Sequence, residues 1–349
     1  MDRSRYSPRA FQESDDDSIA RLSAVIDRPY QESAAEARRW HDVITRHPGR
    51  IRERWVVEVL PSRTLAAWGV LTHTLDTFHP QKFFCRVSVL LDHRRRGIGE
   101  ELYALIEREA LDRGAVCLWS FVEDDEPASV RFQDRHGFAP TRRKWESRLD
   151  LTQSDLSHVP DRSQAMIDRG IRITTLAAEG ADRPAVQHRF YDLWTLTVED
   201  EPRTGDYTPI TFNEFLETVL GGPKALPEAT FLVLKGEKCV GSSSLQRDLN
   251  IPHNIEVGFT GTLREFRGQG IASELKRRAV QYARTHGFHS LRTGNDSLNP
   301  RIWAIHEKLG FRREKTWIEG ERMLRPAPLE EPSGLPRVSS PSGWVQGGS

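Results

Sequence analysis

Cysteine and methionine are both scarce in this chain, with three of each among 349 residues. Cys85, Cys117 and Cys239 are odd in number, far apart and set in apolar stretches. That pattern argues against a disulfide framework and for small buried hydrophobes in a reducing cytoplasm. The twelve histidines lack paired ligand spacing, so no metal is expected. No apolar run reaches the roughly 18 residues that a membrane-crossing helix needs, and Met1-Asp2-Arg3-Ser4-Arg5-Tyr6 has no apolar signal core. Net charge is missing too, because 50 Lys and Arg offset 50 Asp and Glu. A global electrostatic basis for binding nucleic acid or an anionic membrane is thereby removed. The expectation is a cytoplasmic protein, monomer or homodimer, whose partner is a small molecule.

What the chain does contain is one segment twice. Arg94-Arg95-Arg96-Gly97-Ile98-Gly99 and Arg267-Gly268-Gln269-Gly270-Ile271-Ala272 each follow an apolar run, 173 positions apart. The same offset superposes Leu102 on Leu275, Gly114 on Gly287, Leu118 on Leu291, Pro127 on Pro300 and Gly137-Phe138 on Gly310-Phe311. A register held without a gap over about 45 positions marks an internal duplication.

Each copy reads as one α/β (α+β) unit. In the first, 9–151, helices are expected over Ser18–Ile26 and Ala34–Ile44. Three successive antiparallel strands follow at Arg54–Leu60, Thr64–His73 and Lys82–Leu91, then the helix after the Gly loop. Strand Ala115–Val122, helix Pro127–His136 and a last strand through Leu151 complete it. The second, 170–325, repeats the order: strand Ile171–Leu176, helices Ala185–Leu196 and Asn213–Val219, strands Ala229–Leu234, Lys238–Leu245 and Asn254–Leu263. Helix Ile271–Thr285, strand His289–Gly294, a helix from Pro300 and a strand from Phe311 follow. Residues 1 to about 8 read as a loose arm, 152–169 as a linker and 326–349, rich in Pro, Ser and Gly, as a disordered tail.

A strand that delivers the chain into small residues and then a helix leaves unpaired N–H groups at the helix start, which suits a phosphate. A side chain at Gly97, Gly99, Gly268 or Gly270 would obstruct a close ligand. Neither loop fits G-x-G-x-x-G, since Leu102 and Ser273 fall at the third Gly position, and neither ends in Gly-Lys-Ser/Thr. The preceding strands join by short turns, so an antiparallel meander is expected in place of a doubly wound parallel sheet.

The pattern Arg/Gln-x-x-Gly-x-Gly/Ala, met by Arg94, Gly97 and Gly99 and again by Arg267, Gly270 and Ala272, resembles motif A of the GNAT N-acetyltransferases. Asn299 to Leu309-Gly310-Phe311 resembles the family's downstream signature, and Arg131 to Gly137-Phe138 is a weaker echo. The resemblance covers both units and implies two tandem GNAT folds, each a mixed, mostly antiparallel sheet flanked by helices. It further implies that acetyl-CoA is the co-substrate, gripped through its pyrophosphate by the loop and along its pantetheine by the fourth strand. The residues so implicated are Thr260, Gly261, Thr262, Leu263, Arg264, Arg267, Gly268, Gln269, Gly270, Ile271, Ala272 and Asn299. In the first unit they are Val87, Ser88, Val89, Leu90, Arg94, Arg95, Arg96, Gly97 and Gly99.

Acetyl transfer needs a neutral amine, donors for an oxyanion and a fate for the thiolate. Glu256 on the second unit's fourth strand is the candidate base. The unbroken offset aligns it with Phe83, so the chemistry is expected in the second unit. His306 falls where the family places its thiolate-protonating tyrosine, Gln133 being its counterpart, and is the candidate acid. Thr293 and Asn295 stand where the family builds the cleft mouth. Trp194, Tyr191, Tyr207 and Phe212 fit core packing better than an acceptor pocket. No nucleophile with a partnered base is visible, so direct attack is expected. Two other readings stay open: a non-catalytic acetyl-CoA-binding module, and catalysis in the first unit.

Overall fold

The computed structural model describes residues 1–26, 33–203 and 205–325, so the expected disordered tail lies outside the described residues. In the first half run β1 (Tyr6–Ala10), α1 (Asp16–Ile26), α2 (Ala34–Thr45), β2 (Arg52–Val59), β3 (Thr64–Thr72), β4 (Lys82–Val89), α3 (Ile98–Asp112), β5 (Cys117–Glu123), α4 (Pro127–Arg135) and β6 (Ala139–Asp150). In the second run α5 (Ser163–Ile167), β7 (Ile171–Thr175), α6 (Leu176–Glu179), α7 (Pro184–Val198), α8 (Phe212–Phe215), β8 (Ala225–Lys235), β9 (Lys238–Arg247), β10 (Asn254–Thr262), α9 (Ile271–Thr285), β11 (Ser290–Asp296), α10 (Pro300–Lys308) and β12 (Arg312–Met323). From α3 through β6 every element recurs at the 173-residue offset in α9 through β12.

The two expected sheets are one. Twelve strands form a continuous mixed sheet in the order β1-β2-β3-β4-β5-β12-β6-β11-β10-β9-β8-β7. At its centre the last strand of each unit has crossed over: β12 pairs with β5 of the first unit, and β6 pairs with β11 of the second. The exchanged strands also pair antiparallel with each other, Ser147 opposite Arg313 and Arg142 opposite Glu319. Buried ionic contacts pin the crossing, with Arg142 Nε donating to Glu319 Oε1 at 2.8 Å. Each half is therefore completed by a strand from the other.

Periodicity explains the helices on the sheet. On α3, Ile98, Leu102 and Ile106 recur at helical spacing and are buried against the strands; on α9, Ile271, Leu275, Ala279 and Ala283 do the same. Each such large apolar side chain contributes about 1.5–3 kcal/mol by leaving water. Both helices stop at a glycine with positive φ, Gly114 at +77° and Gly287 at +75°, a conformation that side chains with a Cβ avoid. All three cysteines are buried and unpaired.

Two segments depart from expectation. The arm is an ordered edge strand: Tyr6–Ala10 pairs with β2, and Tyr6 is buried with its hydroxyl 3.0 Å from Nδ1 of His93. The short polar sequence hid it, since its pairing partner lies about 50 residues away. The linker is docked: α5 sits within it, Met166 is buried, and Ser163 Oγ donates to Glu274 Oε1 at 2.9 Å.

Candidate active site

The two Gly loops share one backbone design. After β4 and β10 the chain makes a single 3₁₀ turn and then enters the helix through a left-handed glycine, Gly97 at φ +77° and Gly270 at +82°. Two residues earlier the same left-handed conformation recurs, at Arg95 (+61°) in one copy and Gly268 (+75°) in the other. Arg94 Nε donates to Val89 O at 3.1 Å and Arg267 Nε to Thr262 O at 3.0 Å. The repeated arginine is thus a brace that closes the loop onto the end of its strand.

Before each loop the strands part. β4 and β5 are parallel partners only from Lys82–Phe84 to Cys117–Trp119, and β10 and β11 only from Asn254–Glu256 to Ser290–Arg292. In the first unit the opening is a cleft of about 590 Å³, lined at one end by Arg94, Arg95, Gly97 and Gly99 and at the other by Arg86 and Phe121. A Cβ at Gly99 would come into contact with Phe132 across the cleft, at 3.5 Å. Arg86 and Phe121 also line a second cavity of about 700 Å³, on the sheet face covered by α1 and α2. Trp68, Phe84 and Trp119 wall its first-unit side; Glu146, Glu256 and Arg292 stand on the other. The cleft and the central cavity thus share two lining residues.

The family comparison fits this geometry. Models described as "Acetyltransferase (GNAT) family" and "Acetyltransferase (GNAT) domain" match residues 19–138 and 172–312, about three quarters of the chain together. The chain belongs to the GNAT family. Each match stops where an exchanged strand begins. The chain is 23% identical over 237 residues to mycothiol acetyltransferase of Pseudarthrobacter chlorophenolicus, covering 65% of this chain and 66% of that protein. Over 91 residues it is 24% identical to N-alpha-acetyltransferase 30 of Schizosaccharomyces pombe, covering 26% of this chain and 61% of that one. The chain thus spans somewhat under two thirds of the length of these relatives. Two solved structures share the fold. One is a GCN5-related N-acetyltransferase from Sphaerobacter thermophilus (TM-score 0.66, 20% identity, 92% of this chain and 96% of that one). The other is a tandem GNAT protein from the clavulanic acid pathway (TM-score 0.64, 17% identity, 93% and 100%).

Within this tandem GNAT fold the second loop is covered. Asp200, at the end of α7, pairs with both Arg264 and Arg267, the arginines expected to face phosphate. Arg162 lies across Gly270, its Cδ 2.8 Å from where a Cβ would stand, and Arg169 donates to Gln269 O at 3.4 Å. At the first loop Met1 takes the matching place beside Gly97, yet Gly97 still lines the open cleft. Further along β10, Thr197 of α7 packs so tightly on Gly261 that a Cβ there would overlap it. Thr262, Leu263 and Ile271 are buried in the fold, and Ala272 follows in the first turn of α9. Asn299 caps α10, accepting from Ile302 N at 3.4 Å.

The first loop's candidates divide. Val89, Arg94, Arg95, Gly97 and Gly99 line the cleft, while Arg94 also pairs with Glu126 at 3.1 Å. Arg96 turns back to donate to Asp92 O at 3.3 Å.

Glu256 lines the central cavity, and burial raises its carboxyl above the usual range, against the pull of Lys224 at 3.9 Å. Its alignment with Phe83 is corrected. β10 carries one extra residue in a bulge between Val257 and Thr260, whereas β4 pairs with β3 without interruption. Upstream of the bulge the true offset is 172, and Glu256 corresponds to Phe84, which faces the same cavity. A bulge adds a residue without a sequence signature of its own.

His306 is 1% exposed and lines neither of these two cavities. Its Nδ1 is 2.7 Å from Asn295 Oδ1, and burial, with Lys276 nearby, pushes it down to about 2. Burial away from both cavities speaks against the acid role expected of His306. Thr293 lines the central cavity on β11, while Asn295 lines neither cavity and is buried, its Nδ2 donating to Thr293 O at 3.3 Å. Trp194, Tyr191, Tyr207 and Phe212 pack into the second half's core, Tyr191 donating to Ile210 O at 2.7 Å.

Sequence reasoning missed Glu146 and Arg86. Glu146 stands on the exchanged β6, and its Oε1 is 2.7 Å from Arg292 Nε. Burial first, then neighbouring carboxylates, push it up to about 7. Strand alternation was the available signal for Arg86: Phe84 and Arg86 point opposite to the buried Phe83 and Cys85.

Proposed function

We propose that this protein is an acetyl-CoA-dependent N-acetyltransferase that uses the first unit's cleft for acetyl-CoA and the central cavity for a small amine. The carrying observation is that the two cavities share Arg86 and Phe121 in their linings. The cleft suits the co-substrate: its loop end offers a left-handed glycine, a helix start without a side-chain cap, and Gly99, where an added Cβ would touch Phe132. Arg94 and Arg95 bring positive charge to the phosphate end. Acetyl-CoA supplies the activated acetyl group, and the protein's part is to hold it with the acetyl toward the central cavity and to exclude water there.

In the central cavity Glu146, pushed up to about 7, suits proton acceptance near neutral pH, and Glu256, raised by burial, stands with it. Transfer is direct, in a cytoplasmic setting, and the second unit walls the acceptor side. This reverses the sequence-based lean toward the second unit. Thiol release from acetyl-CoA across a panel of amines tests it. Wild type is expected to turn over at least one amine, and Gly99→Trp to lose turnover and acetyl-CoA binding together. Turnover retained in Gly99→Trp would return the chemistry to the second unit.

A further inference from the structure

We infer that Arg86 acts at the point of transfer, its guanidinium stabilising the charge that develops on the acetyl oxygen. This rests on the first-unit reading above. β4 and β5 remain paired through Phe84 and Trp119, and Arg86 is the next residue on the same face of β4, where the strands have opened. Its guanidinium carbon lies 5.3 Å from the Phe121 ring centre, and these two residues are shared by the two cavities. On that reading, an acetyl group presented from the cleft to an amine in the central cavity lies beside this pair.

The surroundings strengthen a charge placed there. Phe84 packs on Trp119 at 4.7 Å and on Phe121 at 5.5 Å, so an aromatic wall lowers the local dielectric around the guanidinium. The duplicate has nothing of the kind: the bulged pair Gly258 and Phe259 stands in place of Arg86, and Gly294 in place of Phe121. Arg86 is thus an asymmetric feature, independent of the loop.

The step balances without another reagent. The lone pair of the neutral amine forms the N–C bond to the thioester carbon, and the carbonyl π pair moves onto oxygen beside Arg86. Collapse breaks the C–S bond, the pair leaving on sulfur. The nitrogen releases its proton to a cavity carboxylate, Glu146 or Glu256, and the thiolate takes one up from water, giving the amide and free CoA. The cation also disfavours an ammonium held beside it, which keeps the attacking amine neutral.

Hydroxylamine, a small amine that is neutral near neutral pH, serves as the acceptor probe, with thiol release for turnover and calorimetry for acetyl-CoA affinity. Arg86→Met is expected to lower kcat about a hundred- to a thousandfold while acetyl-CoA affinity stays within about threefold, and Arg86→Lys to recover part of the loss. A kcat within threefold of wild type, or a loss matched by weaker acetyl-CoA binding, overturns the assignment. Gly99→Trp run alongside separates the two ideas: if it abolishes turnover while Arg86→Met does not, the role of Arg86 alone fails.

Discussion

Glu146 of the first unit's last strand and Arg292 of the second unit's β11 form an ion pair across the exchange, Oε1 to Nε at 2.7 Å. The strand crossing thus puts a carboxyl from one copy beside a guanidinium from the other, on the wall of a cavity that neither copy builds alone. Covalent duplication has become shared architecture.

The Glu146 carboxyl makes stability depend on pH. It is pushed up to about 7, so between its unfolded and folded values the native state holds a proton that the unfolded chain has released. Stability therefore falls as pH rises through about 4.5 to 7. Glu146→Gln carries no titrating group there. Urea unfolding is expected to show the balance moving toward the variant by up to about 3 kcal/mol across that window; parallel curves would contradict it.

His306 titrates with the opposite sign. Its folded value of about 2 lies below the unfolded one, so stability is lost as pH falls below about 6.5, at up to about 1.4 kcal/mol per pH unit. His306→Gln, which installs the first unit's Gln133 equivalent, should remove that slope and keep turnover within about threefold of wild type. A hundredfold loss of turnover would return His306 to the chemistry.

Strand exchange forbids an independent first unit. Residues 1–151 alone would leave β5 and β6 without β12 between them, and β6 without β11. Circular dichroism and hydrogen exchange on that fragment should show no cooperative fold. A folded monomer with protected β5 amides would contradict the topology.

Much of this was legible in the sequence. The repeated Gly loop, the helical spacing of Leu102 and Leu275 and the Gly114 and Gly287 stops are local signals, and local signals survive in a one-dimensional reading. The crossing of β6 and β12 is not local, because the sequence of a strand states its alternation but not its neighbour. The bulge in β10 hid Phe84 as the partner of Glu256 for a related reason: it changes the register by one residue without changing composition. The burial of His306 depends on α10 packing against the sheet, which the helix's own polar residues did not signal.

Leu102 and Leu275 are matched, fully buried helix residues. Truncation of either to Ala should cost about 2–5 kcal/mol, yet only Leu102→Ala, beneath the open loop, should weaken acetyl-CoA binding measured by calorimetry. Weaker binding in Leu275→Ala alone would point to the other loop.

The most direct test of the account is a crystal structure of the full chain with CoA. The pyrophosphate is expected over Gly97–Gly99, with the sulfur at Arg86 and Phe121 facing the central cavity. CoA found over Gly268–Gly270, with the first cleft empty, would contradict the central claim.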